Sequence, residues 1–195
     1  KTALDKVKGY EIQMQMYISQ NQMQTAIDTG LQALDMLGVS LSDSPPPNLV
    51  IADLEQLPPM TDPEKLAAMR LLMKLISPAY LVDPVLMLKI VFSMINTCIN
   101  HGSTSLIAFA CVSYSVYLCA VEGGDLDTGY QFGKLALKLL EQFETFETTA
   151  KVYRLFNSHV RHWKEATRNA IDPLRKIIQI GLDNGDNEYA SYAAM

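Results

Sequence analysis

Apolar positions recur along this chain at the spacing of α-helices. In one late segment Val152, Leu155, Phe156, His159 and Val160 fall at i, i+3, i+4, i+7 and i+8, which places them on one helix face. No stretch alternates apolar and polar residues between Asn-Gly or Asp-Gly turns, so the pattern indicates no β-hairpins. We therefore predict an all-α fold. Its helices are predicted at Thr2 to Ser19, Gln22 to Leu37, Pro63 to Ile76, Pro84 to Asn100, Ser103 to Val121, Leu126 to Phe143, Glu147 to Arg161 and Ala166 to Asn184, with a further helix beginning near Asn187.

Proline separates the second and third predicted helices. Five of the nine prolines fall between Pro45 and Pro59, and a helix does not continue through them. The sequence predicts an irregular Pro-rich insertion at about 39–60, in which Leu49 to Leu57 can form a short surface helix. Further on, Pro78 is expected to end or kink the third helix.

The helix predicted at Ser103 to Val121 is apolar on all sides, because it carries no charged residue. Its apolar run is shorter than the roughly 20 residues that cross a bilayer. The pattern therefore favours a helix buried in protein, and a membrane is not an expected partner.

The composition is that of a folded protein, with 49% of the 195 residues hydrophobic and 19% charged. Sixteen basic against 21 acidic residues argue against nucleic acid as a partner. Cys98, Cys111 and Cys119 form no CxxC pair and are expected to be reduced thiols of an intracellular, cytoplasmic protein. The chain opens at Lys1 without an initiator methionine, so we expect a fragment of a larger protein.

Two predicted helices share a stripe of small side chains at positions i, i+4 and i+7. The stripes consist of Ala26, Gly30 and Ala33 in the second predicted helix and of Gly129, Gly133 and Ala136 in the sixth. Such a stripe lets a neighbouring backbone approach closely. Gly30 and Gly133 are 103 residues apart, close to three times the 34-residue period of a helix-turn-helix repeat.

These small residues, with Tyr17 in the preceding helix and the turn Gly124-Asp125-Leu126-Asp127, resemble the signature of the tetratricopeptide repeat. The resemblance implies antiparallel helix hairpins stacked as a right-handed superhelix, an α-solenoid, in one domain over 1–195. In such a stack the first helix of each pair lines the concave side. The groove residues implied in this way are Lys8, Glu11, Gln15, Ser19, Tyr114 and Leu118.

Five stretches also resemble a helical region of very large bacterial, chiefly cyanobacterial, multi-sensor hybrid Ser/Thr and histidine kinases. They are Lys8 to Ile12, Gln20 to Gly38, Met60 to Pro63, Gly129 to Gly133 and Arg161 to Glu165. In those proteins the similar region lies between an NTPase module and the sensor and histidine-kinase modules. The resemblance implies a place in a signalling relay whose catalysis belongs to the other modules.

The chain contains none of the motifs GxxxxGK[ST], GxSxG, HExxH and GxGxxG. We therefore expect no catalytic residues and no cofactor. His159 and His162 have the HxxH spacing of a metal-binding pair, but no carboxylate or thiol is spaced to complete a site, and we expect no metal. His159 falls on the apolar face of its helix, where we expect a hydrogen-bonded interior histidine.

The polar face of the same helix carries the candidate partner-binding residues. They are Tyr153, Asn157 and Arg161 at i, i+4 and i+8, with Arg154 and His162 beside them and Tyr114 from the implied groove. Planar, hydrogen-bonding groups in a stripe suit the recognition of a peptide or a carboxylate. The simpler alternative is a solvated helix face.

These observations predict a non-catalytic helical-repeat scaffold that binds other protein domains, within or between molecules, in intracellular signal transduction. The alternative is an effector-sensing domain, in which a small molecule enters the groove and shifts packing that reaches a linked kinase or output domain. A closed apolar pocket along the Tyr153, Asn157, Arg161 stripe favours sensing, and an open surface favours protein binding.

Overall fold

The computed structural model describes residues 2–47, 49–143, 148–183, 185 and 187–194. The predicted all-α class is confirmed for these residues, which form ten α-helices and no strand, with one isolated bridge between Pro59 and Ser103. Two predicted helix ends, Glu147 and Asn184, lie outside the described residues. The helices are α1 (Ala3–Ser19), α2 (Met23–Met36), α3 (Ile51–Glu55), α4 (Pro63–Val82), α5 (Pro84–His101), α6 (Ile107–Ala120), α7 (Leu126–Phe143), α8 (Thr149–Leu155), α9 (Ile171–Asp183) and α10 (Asn187–Ala194), with a 3-10 turn (Thr167–Ala170) before α9.

Side-chain caps fix where three of these helices begin. Thr2 and Asp5 form a capping box at α1, in which each side chain accepts a hydrogen bond from the other residue's backbone N–H. The carboxylate of Asp62 accepts the N–H of Glu64 at 2.8 Å, directly before α4. Asp83 caps α5 in the same way, so the helix starts predicted at Pro63 and Pro84 are confirmed.

The helix end predicted at Ile76 is wrong, because α4 continues through Pro78 to Val82. A proline inside a helix removes one hydrogen bond and costs about 3 kcal/mol. Pro78 and Ala79 are both buried, and α4 packs along α5. Packing therefore offsets the cost of the proline, and the helix ends only at the next proline.

The chain consists of two compact units, Lys1–Leu106 and Ile107–Met195. In the first unit α1 packs against α2, α2 against α4, and α4 against α5. In the second unit α6 packs against α7, α8 against α9, and α9 against α10. Neighbouring helices along the chain are thus neighbours in space within each unit, while the single domain over 1–195 stays a prediction.

Over its described residues, 39–47 and 49–60, the predicted insertion is irregular apart from α3, and side chains attach it to α5. The backbone N–H of Ser42 donates to Ser93 Oγ at 2.7 Å, and Asp43 lies 2.6 Å from Lys89 Nζ. The insertion therefore lies along a helix of its own unit.

A bridge at the end of this insertion corrects one predicted boundary. Met60 N–H donates to the Ser103 carbonyl at 2.8 Å, and Ser103 N–H donates to the Pro58 carbonyl at 2.7 Å. Gly102 permits this approach, since its φ is +98° and a Cβ there would lie 2.6 Å from the Pro58 carbonyl oxygen. Because the backbone of Ser103 belongs to the bridge, the next helix begins at Ile107 and not at Ser103 as predicted.

The small-residue stripe of α2 lets it lie close to two helices. A Cβ added to Gly30 would lie 2.9 Å from Met14 Cε of α1 and 2.6 Å from Leu75 Cδ2 of α4. Ala26 and Ala33, the other two residues of the stripe, are fully buried. Helices α1 and α4 therefore both approach α2 closely at Gly30, where a larger side chain would not fit.

The second unit repeats this contact in α7. A Cβ added to Gly133 would lie 3.1 Å from Ser115 Oγ of α6 and 2.7 Å from Phe156 Cδ2, in the segment after α7. The Ser115 hydroxyl also donates to the Gly129 carbonyl at 2.5 Å. Glycine thus occupies matching places in α2 and α7, between the preceding and the following helical segment.

The seventh predicted helix is divided after α8 into a π-helix, Phe156–Val160, and a short 3-10 turn, Arg161–Trp163. In the π-helix the Arg161 N–H donates to the Phe156 carbonyl, five residues earlier. The wider turn lets two sequence neighbours point inward, since Phe156 is 1% exposed and Asn157 is 3% exposed.

We expect Gly133→Ala to lower the free energy of unfolding, because the added methyl group would overlap the buried Phe156 ring. Overpacking costs about 1–3 kcal/mol, which is at least as large as the gain of about 0.8–1 kcal/mol that alanine brings to a helix interior. The matched control is Gly9→Ala in α1, where no heavy atom lies within 4 Å of the added Cβ, and this variant should be more stable. Urea unfolding measures both, and a stabilised Gly133→Ala protein would contradict the close contact.

Candidate functional site

The predicted polar stripe is continuous in the structure, but it is not an open surface. Asn157 Nδ2 donates to the Tyr153 carbonyl at 2.7 Å, and Arg161 Nη1 donates to Asn157 Oδ1 at 2.7 Å. Asn157 is buried, and Tyr153 and Arg161 are half-buried. The amide of Asn157 therefore bonds within the chain and is not offered to a partner.

Glu165 extends this stripe into a network of five residues. Its Oε2 accepts a hydrogen bond from Arg161 Nε at 2.9 Å, and its Oε1 accepts one from the Tyr130 hydroxyl of α7 at 2.7 Å. Arg161 Nη1 also donates to the Asn169 carbonyl at 3.0 Å. We call Tyr130, Asn157, Arg161, Glu165 and Asn169 the Arg161 network. It joins α7 to the π-helix, to the 3-10 turn Arg161–Trp163 and to the residues before α9.

Hydrogen bonding sets the charge states in this network. The bonds from Tyr130 and Arg161 hold the pKa of Glu165 below its ordinary value, and partial burial opposes them. Burial, followed by the hydrogen bond to Glu165, raises the pKa of Tyr130. At neutral pH the network therefore contains a charged acceptor and a neutral hydroxyl donor.

Sequence reasoning missed Tyr130, Glu165 and Asn169 as members of this network. One signal was available, because Arg161 and Glu165 have the i, i+4 spacing of a helical ion pair. Tyr130 lies 35 residues before Glu165, and only tertiary packing brings the two together.

The remaining predicted residues of this segment, Arg154 and His162, lie near His159. Burial, followed by the charges of Arg154 and His162, lowers the pKa of His159 to about 4. The ring of His159 is half-buried, and the Leu155 backbone opposes the lowering of its pKa, although Nδ1 makes no hydrogen bond of good geometry. The hydrogen-bonded interior histidine stays a prediction. The Nε of Arg154 is buried without a partner. We call these three residues the Arg154 cluster.

Tyr114 and the groove residues implied in α1 have other surroundings. Tyr114 is half-buried on α6 and meets Phe132 edge to face, with ring centroids 5.0 Å apart. In the first unit, Glu11 pairs with Arg70 of α4 at 3.1 Å, while the other three α1 residues are exposed. The candidates of the second unit thus divide among the Arg161 network, the Arg154 cluster and the Tyr114–Phe132 contact.

Cys98, Cys111 and Cys119 are buried and not disulfide-bonded, and burial raises the pKa of Cys98 to about 12. A thiol kept protonated in this way is a poor nucleophile and a poor metal ligand. Across the described ranges, no three His, Cys, Asp or Glu side chains come together as metal ligands would.

We expect Glu165→Gln to lower the free energy of unfolding by about 1 kcal/mol at neutral pH, because a neutral amide accepts the Arg161 and Tyr130 hydrogen bonds less strongly. The pKa of Glu165 is lowered in the folded chain, so its contribution is complete above the ordinary value of 4.5 and is lost as the pH falls through the folded pKa. The variant and the parent chain should therefore converge once the pH falls below the folded pKa of Glu165. Glu122→Gln, at an exposed carboxyl, is the control, and a pH-independent difference at Glu165 would contradict the network.

Over the described residues, every helix is too short or too polar to cross a membrane. Comparison of the chain with protein-family models, with curated proteins and with solved structures finds no match in any of the three. The likeness to the helical region of multi-sensor kinases therefore stays a prediction.

Proposed function

We propose that this chain is a non-catalytic helical-repeat module that binds other protein domains in an intracellular, cytoplasmic signalling protein. In this proposal its antiparallel helix pairs follow the TPR-like right-handed superhelix that the sequence resembles. The observation that carries the proposal is the matched contact of Gly30 in α2 and Gly133 in α7, each close to the helical segments before and after it.

This contact supports a repeat module because each glycine lies close to two other helical segments, α1 and α4 in one unit and α6 and the π-helix in the other, rather than to the partner helix of one hairpin. In repeat proteins each unit covers the apolar face of the next, and the outer surfaces remain available for binding. The contact recurs in each unit of this chain with different side chains, Met14 and Leu75 in one and Ser115 and Phe156 in the other. What recurs is the packing arrangement, as expected for a repeat.

The proposed contact surface is the aromatic pair of His162 and Trp163. The two rings lie 5.0 Å apart on the 3-10 turn, and Trp163 is 46% exposed. Arg161 directly precedes this pair, and its hydrogen bonds to Glu165 and Asn169 fix its position. Tryptophan is enriched among the residues that dominate binding energy, especially where the backbone is already ordered.

The test uses the modules encoded on either side of this chain in its parent gene. We expect kinase, sensor or NTPase modules there, and we expect one of them, purified separately, to bind the chain in a calorimetric titration. Trp163→Ala should weaken that binding at least tenfold, which corresponds to about 1.4 kcal/mol. Tyr80→Ala is the matched control, since Tyr80 is an aromatic residue of the first unit that is 59% exposed.

Two outcomes would contradict the proposal. Flanking sequence without signalling modules would remove the chain from a kinase relay. Equal weakening by Trp163→Ala and Tyr80→Ala would show that the His162–Trp163 pair is not the contact surface.

Effector sensing is the second candidate function, and one observation favours it. The Nε of Arg154 and the Nδ1 of His159 are buried without hydrogen-bond partners, and such atoms are uncommon in folded proteins unless a ligand or water satisfies them.

A further inference from the structure

Arg154 differs from the other arginines of the chain. Three of the five form ion pairs with carboxylates, and Arg168 is exposed to solvent. Arg154 is half-buried, and its Nε has no hydrogen-bond partner among the described residues. A buried donor without an acceptor costs about 1–3 kcal/mol, and more when the group is charged. The Nε–H group of Arg154 therefore lacks the acceptor that a buried donor requires.

The charges around Arg154 do not supply that partner. Arg161 and Lys164, on the same segment, each meet a carboxylate, Glu165 at 2.9 Å and Asp127 at 2.5 Å. The groups that act electrostatically on His159, in contrast, are Arg154 and His162, and neither of them is an acid. The Arg154 cluster is therefore a local excess of positive and nitrogen-bearing groups in a chain whose net charge is −5.

Two tyrosines of α10 present their ring faces to cations of this region. The Arg154 guanidinium lies 5.5 Å from the ring centroid of Tyr192, and Lys151 Nζ lies 4.4 Å from that of Tyr189. A ring face attracts the cation but accepts none of its in-plane N–H groups in the way an oxygen does. The tyrosines thus hold the cations in place and leave the hydrogen bonds of Arg154 to be made by another group.

We propose that the Arg154 cluster binds the phosphate or carboxylate group of a small molecule. The oxygens of that group would accept hydrogen bonds from the Arg154 guanidinium, whose planar fork matches two oxygens, and from the His159 imidazole. Arg154 and His159 are half-buried, and His162 is exposed. This site does not depend on the protein-binding function proposed above.

The test follows the three histidine side chains by NMR while inorganic phosphate or acetate is added to the isolated chain. We expect the His159 and His162 resonances to shift in a saturable manner with at least one of the two anions. The anion that binds more tightly shows whether the site prefers a phosphate or a carboxylate group. A bound anion should also raise the pKa of His159 from about 4 towards its ordinary value of 6.5, because it stabilises the imidazolium. His101 is exposed in the first unit and serves as the internal reference.

Variants assign the effect to the guanidinium. Arg154→Gln should abolish saturable binding, and Arg154→Lys should weaken it at least fivefold because lysine lacks the fork. Arg168→Gln, at an exposed arginine, is the matched control and should bind as the parent chain does. Shifts no larger than those in sodium chloride of equal ionic strength, or saturable binding that survives in Arg154→Gln, would overturn the proposal. The anion titration needs no partner protein, so its failure would not contradict the protein-binding proposal. Failure of the calorimetric test with a flanking module would likewise not contradict the anion site.

Discussion

The second unit depends on the close approach of α7 to the segment that follows it. Gly133 leaves no space for a side chain against Phe156, so the ring of Phe156 seats directly on the helix backbone. From that position it also meets Tyr130, at a centroid distance of 6.0 Å, and lies under the Arg161 guanidinium at 5.7 Å. The core contact therefore places two members of the Arg161 network beside one ring.

The same constraint relates the two units at the level of packing. Gly30 and Gly133 are 103 residues apart, while Met14 and Ser115, which contact them from the preceding helices, are 101 apart. The difference is the turn between the helices, which has three residues between α1 and α2 and five between α6 and α7. The two extra residues of the second turn account for the difference between 103 and 101. Met14 in α1 and Ser115 in α6 therefore occupy equivalent positions, and the similarity of the two units includes the helix before each glycine.

The sequence was informative where short-range interactions decide the structure. Asp62 and Asp83 cap the helices they were expected to cap, because a carboxylate and the next two or three N–H groups are all local. It was uninformative at Pro78, where packing of α4 outweighs a local break, and at Ser103, whose backbone pairs with Pro58 and Met60. The stripe of Tyr153, Asn157 and Arg161 was correctly seen as one row. Its burial depends on α7, and the spacing within a single helix carries no information about that neighbour.

The π turn relates the core contact to the Arg154 cluster. In a regular α-helix residues five apart point about 140° away from each other, so Arg154 and His159 would lie on different sides. The wider turn brings positions five apart closer together, because it adds a residue to one turn of the helix. His159 then comes within the electrostatic reach of Arg154. The Arg161 network needs no such irregularity, since the bonds of Arg161 to Asn157 and Glu165 have the i, i+4 spacing of a regular helix. The irregularity that accompanies the packing of Phe156 against Gly133 therefore bears on the Arg154 cluster and not on the Arg161 network.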